Sequence, residues 1–181
     1  KELPPSGDLK PEHVAIADRG YKSIYNGVDL TGWKVTEQNE GHWQPQDWVL
    51  NYDGKGGDLW TEKEYGDFQM IVDWRWPTKP VKRQRPVILP SGEYATDDAG
   101  NQKMVEVDDA GDSGIYLRGS SKSQVNIWCW PVGSGEVYGY RTDANQPAEV
   151  RAGVTPKVNA DRPIGQWNRF EITMKGDRLT V

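Results

Sequence analysis

The chain has 181 residues, 22 basic and 27 acidic, for a formal net charge of −5. That length suits one domain with a sizeable core, and the acidic balance argues against the clustered Lys/Arg footprint of a nucleic-acid binder. No apolar run approaches the roughly 20 residues of a membrane span, and the single cysteine, Cys129, excludes an internal disulfide.

Residues 1–20 read as a polar, Pro-rich leader, with one helical turn expected over His13 to Arg19. From Tyr21 onward the chain is strand-like: YKSIY, HW, WVLNY and DLWT are short, aromatic or β-branched, and separated by Gly, Asn and Asp. Nine Trp and eight Tyr supply the bulk for a core that has few aliphatic residues. The clearest strand is 67–76. Phe68, Met70, Val72, Trp74 and Trp76 share one apolar face, whereas Gln69, Ile71, Asp73 and Arg75 lie on the other, mostly polar one.

Residues 77–112 interrupt the pattern as an insertion with its own hairpin, RPVILPSGEY and QKMVEV about the turn TDDAGN. The basic cluster Lys79 to Arg85 reads as a solvated loop. Strands resume as SGIYLR, QVNIW, VYGY and NRFEITM, and Gly176-Asp177 turns the chain into RLTV. That last stretch reads as a strand that continues past Val181. About ten short strands with almost no helix predict an all-β sandwich of two antiparallel sheets.

Several chemistries are poorly supported. GSGEVYG has no Lys-Ser/Thr ending, so it is not a phosphate loop. Two histidines cannot build a His-rich zinc site, and Cys129 between Trp128 and Trp130 reads as a buried inert thiol. Carboxylates and aromatics remain.

Strand alternation puts Val125 and Ile127 in the core and gathers Tyr116, Arg118, Gln124, Asn126 and Trp128 on the opposite face. Amides, a guanidinium and aromatic rings suit sugar hydroxyls and ring faces. An ordinary solvated sheet face carries the same residue types. Asp108, Asp109 and Asp112 in VEVDDAGDSG offer oxygen ligands to a cation such as Ca²⁺, but without EF-hand spacing, and a solvated acidic turn, or Asp112 in a turn hydrogen bond, explains them better. Glu62 after the LWT strand and Glu136 between two glycines are candidate general acids or bases.

Five blocks occur in order: YNGVDLTGW, LWTEKEYGDFQ, GDSGIYLRG, GSGEVYG and PIGQWNRFEITMKGDRLTV. Together they resemble the 3-keto-disaccharide hydrolase family over about residues 21–181. The resemblance implies a concanavalin-like jelly-roll, a carbohydrate ligand, and an exported bacterial protein, periplasmic or at the cell surface. It also implies one jelly-roll domain over 21–181, with the hairpin insertion at about 77–112.

For the site, the resemblance implies that Arg118 stabilises an enolate oxygen and that Glu136 or Glu62 acts as base. Asp112 would then be a metal-ligand candidate, and Tyr116, Gln124, Asn126, Trp128 and Tyr138 would bind the sugar. One departure stands out. The family's Glu-Val-Gln strand here reads Gln124-Val125-Asn126, an amide in place of the carboxylate. Besides a lyase or hydrolase, the chain therefore fits a non-catalytic sugar-binding module, or a jelly-roll that binds a partner.

Overall fold

In the computed structural model the described residues are 20–181. The helical turn expected over His13 to Arg19 lies outside them. The described residues divide into two compact units, 20–66 and Asp67–Val181. Both are built from antiparallel strands, as the sequence predicts, and among the described residues no sheet closes into a barrel.

In the first unit β1 (Trp33–Lys34) pairs with β4 (Trp60–Thr61), and β2 (Trp43–Gln46) with β3 (Val49–Tyr52). The β2–β3 hairpin is fastened by Trp43 stacked on Tyr52, centroids 4.3 Å apart. Buried Asn39 holds the surrounding loops, donating to the carbonyls of Lys34 at 3.0 Å and Asp58 at 2.9 Å. The expected strand over 21–25 is not formed. The Ser23 hydroxyl bonds the Tyr25 backbone, and Asn26 accepts from the amides of Val28 and Asp29, so local bonds replace a ladder.

The second unit is a sandwich. Its first sheet has the order β11–β10–β5, from β5 (Phe68–Trp74), β10 (Asn168–Lys175) and β11 (Arg178–Thr180). Opposing it is the hairpin of β8 (Asp112–Leu117) and β9 (Ser120–Trp128). Between them lies the core: Trp74, Phe170 and Ile172 from one sheet, Leu117, Val125 and Ile127 from the other. Each such side chain contributes about 1.5–3 kcal/mol on burial. The alternation read at 67–76 and 168–174 is what the structure uses, with Arg169 and Asp73 paired on the outer face at 2.6 Å.

Two expectations are corrected here. Lys79 to Arg85 is not a solvated loop, because Val81–Pro86 forms β6, paired with β7 (Met104–Asp109). Its charges hid the strand, and acidic β7 is what stabilises it. Lys82 meets Asp108 at 3.0 Å, and Arg85 Nε meets Asp109 at 2.7 Å. The predicted turn TDDAGN does form, with Asp97 accepting from the amides of Ala99 and Asn101.

Nor is VYGY a strand. Val137 makes one bridge to Val125, and the chain then coils into helix α1 (Tyr138–Arg141), followed by α2 (Ala148–Gly153). The amides of Tyr140 and Arg141 turn back onto the Val137 carbonyl. Gly139 permits the close approach, since a Cβ there would sit 2.5 Å from the Lys122 carbonyl oxygen on β9. Among the described residues no helix is long and apolar enough to cross a membrane.

Candidate functional site

The site is built on the face of β8–β9 turned away from the core. Register places Asp112 opposite Trp128, Gly114 opposite Asn126, and Tyr116 opposite Gln124. Tyr116, Gln124, Asn126 and Trp128 share this face as the alternation predicts, with Asp112 at the end of the row, but Arg118 falls in the β8–β9 turn instead of on it. The expected open face is, however, largely roofed over. Residues 135–137 run beside β9, with the Asn126 amide donating to Glu136 O and the Gly135 amide to Asn126 O, both at 2.8 Å. Asn126 and Trp128 are consequently buried, while Tyr116 and Gln124 are half-buried.

Trp128 is pinned at both ends. Its indole donates to Gly133 O at 2.7 Å, and Ser134 Oγ bridges its backbone to Asp161. Burial raises the Asp161 pKa, and the Ser134 bonds oppose that shift. Trp130 stacks on Trp128 at 4.1 Å, and Tyr138, 40% exposed, meets Trp128 edge-on at 6.1 Å.

Glu136 lies inside this roof with no exposed surface, in a direct ion pair with Arg141, which is 1% exposed. Its other oxygen accepts from Asn126 at 3.3 Å. Arg141 also donates to Gly92 O and to Tyr94 Oη, and its guanidinium faces the Tyr94 ring at 4.9 Å. The glycine-flanked carboxylate that looked poised to meet a ligand is therefore occupied in fastening the roof to β9.

Arg118 sits at the β8–β9 turn, where it and Gly119 both adopt positive φ (51° and 71°), as two-residue hairpin turns require. Its guanidinium donates to Gly176 O at 2.5 Å and to Asp67 at 2.8 Å, tying together the turns at one end of the sandwich. Arg118→Ala is expected to lower stability by no more than about 1 kcal/mol, as for exposed ion pairs. Thermal melting checks this, and turnover is expected to persist. Glu62 belongs to the first unit, where its side chain is exposed and its amide donates to Gly32 O at 2.9 Å.

At the Asp112 end the face opens into a groove of about 340 Å³ bounded by Lys79, Arg83, Arg85, Asp109 and Asp112. Arg85 is the residue sequence reasoning missed. Its guanidinium is fixed by buried Asp109 and lies 5.7 Å from the Trp130 ring centroid. The signal was present in the spacing of Lys79, Val81, Arg83 and Arg85, every second residue along a strand.

Asp112 is reachable by solvent, yet the protein around it desolvates its carboxyl enough to raise the pKa. Arg85 pulls that pKa back and Asp109 pushes it further up. Cys129 beside the groove receives the Ala110 amide at 3.4 Å, and burial raises its thiol, consistent with an inert role.

These carboxylates do not suit a cation. β7 sends Asp108 to the opposite face, onto Lys82, while Asp109 is taken up by Arg85 and by the Gly111 amide. Among the described residues no three His, Cys, Asp or Glu side chains are grouped as metal ligands, and no step below passes through a metal.

The fold is all-β, and the carbohydrate-active class of the domain comes from the family it matches. The family model for the 3-keto-alpha-glucoside-1,2-lyase-like domain matches residues 20–181, and the chain belongs to that family. Comparison with curated proteins and with solved structures found no match.

Proposed function

We propose that this chain cleaves the glycosidic bond of 3-keto-glycosides by elimination and hydration at the β8–β9 face. The observation that carries this is the family match over the whole of the described chain. The geometry supplies candidate parts. A ketone at C3 acidifies the C2 proton, because the resulting carbanion delocalises into an enolate. Asp112 takes that proton, with a pKa raised toward the range of a working base. Arg85, held in place by Asp109, stabilises the enolate oxygen.

The enolate then expels the C1 oxygen, which leaves as the alcohol with the proton Asp112 had taken. Water adds across C1–C2, its hydroxyl to C1 and a proton to C2. The sum is hydrolysis with no change of oxidation state. Asp112 thus takes the base role assigned from sequence to Glu136 or Glu62, because Glu136 is closed off by Arg141. Export to the periplasm or cell surface belongs to the same proposal.

The test is incubation with a methyl 3-keto-glucoside and with its C3-alcohol parent. Release of 3-keto-glucose from the first alone supports the reading, and equal cleavage of both defeats it. One residue favours a second reading: Gln124, half-buried opposite Tyr116, cannot act as a base. Binding of the ketone without release would make the chain a sugar-binding module.

A further inference from the structure

The two faces of the β6–β7 hairpin treat charge differently. On one, Lys82 is opposite Asp108 and Gln84 opposite Glu106, so the cation is matched across the ladder. On the groove side the facing residues of Arg83 and Arg85 are Val107 and Val105. With Lys79, that side presents three cations against two carboxylates, Asp109 on the ladder and Asp112 at the groove's end. Asp109 is bound closely by Arg85 but lies 4.0 Å from Arg83, whose side chain is 58% exposed. Among the described residues Lys79 has no ion pair.

Apposed cations facing valines gain nothing from each other, and like charges along a strand repel. Lys79 and the exposed Arg83 therefore keep donors open to an oxyanion, since guanidinium and ammonium groups bind carboxylates and sulfates through charge-assisted hydrogen bonds. The acidic chain as a whole does not attract anions, so the attraction is local to the groove.

We infer that Lys79 and Arg83 form a subsite for an oxyanion carried by the sugar ligand, so that the preferred glycosides are acidic: uronates or sulfate esters. This rests on the proposed sugar site, because Asp112 and Arg85 bound the same groove. The subsite lies beside the reacting group, and Lys79 and Arg83 have no part in the proton transfer.

The experiment measures binding to the full chain by calorimetry at low ionic strength, with methyl glucuronide, a methyl glucoside sulfate, neutral methyl glucoside and sodium sulfate as probes. The acidic glycosides are expected to bind at least about tenfold more tightly than the neutral one, as a charge-assisted pair allows. That advantage should shrink with added salt and vanish in the double variant Lys79→Gln/Arg83→Gln. Comparing the glucuronide with the sulfate ester identifies the oxyanion.

Equal binding of acidic and neutral glycosides, absence of glycoside binding, or an advantage kept by the double variant would each overturn the inference. So would sodium sulfate binding as tightly as the glycosides, since the groove would then take a free ion. Cleavage of the neutral 3-keto-glucoside is read separately. Cleavage without an acidic preference overturns this inference alone, and acidic preference without cleavage of any 3-keto-glycoside overturns the lyase proposal alone.

Discussion

Arg141→Met is expected to destabilise the second unit by about 3–5 kcal/mol, the range for breaking a buried ion pair from one side. The side chains of Glu136 and Arg141 are 0% and 1% exposed, so removing the guanidinium strands a carboxylate where water cannot reach it. The Gly92 carbonyl and Tyr94 hydroxyl lose a donor at the same time. Since small proteins are stable by only about 5–15 kcal/mol in total, the loss is a large share. The double variant Glu136→Gln/Arg141→Met should recover much of it, because no buried charge remains. Urea unfolding of the parent, the single and the double variants measures both. A shift below about 1 kcal/mol in Arg141→Met, the level of an exposed pair, would show that the contact does not hold the roof.

The second large effect belongs to Asp112. Asp112→Asn is expected to lower turnover of a 3-keto-glucoside by about 10²–10⁴-fold, the contribution of one positioned proton-transfer group. The base acts as the carboxylate, so the parent rate should climb as pH rises through a pKa above that of a free aspartate. Stability runs the other way. A carboxyl whose folded pKa is raised binds its proton more tightly when folded. It costs nothing below its unfolded pKa, and the penalty develops as pH rises through the interval up to the folded pKa. Asp112→Asn should therefore be at least as stable as the parent at neutral pH, which separates lost chemistry from lost folding. Unchanged turnover in a folded Asp112→Asn protein would remove Asp112 from the mechanism.

What could be read from the sequence tracks how many faces of a strand are buried. β5 and β10 have one apolar and one polar face, so period-two alternation located them and their core residues, Trp74, Phe170 and Ile172. β6 was missed because its stability comes from a partner strand of opposite charge, and VKRQRP has no apolar alternation to show. The site face was half legible. Parity correctly put Tyr116, Gln124, Asn126 and Trp128 together. It could not show that residues 133–141 return to cover them, because that cover depends on hydrogen bonds to Gly133, Ser134 and Glu136 rather than on any periodic pattern. Glu136 shows the same limit: flanking glycines suggested access to a ligand, whereas the chain uses the freedom there to bury the carboxylate against Arg141.

The most direct test of elimination at this face is the rate of cleavage of a 3-keto-glucoside deuterated at C2, compared with the protiated compound. Removal of the C2 proton by Asp112 predicts a primary isotope effect, with slower cleavage of the deuterated glycoside. Cleavage of the two at the same rate, with water attacking C1 directly and the C2–H bond intact, would contradict it.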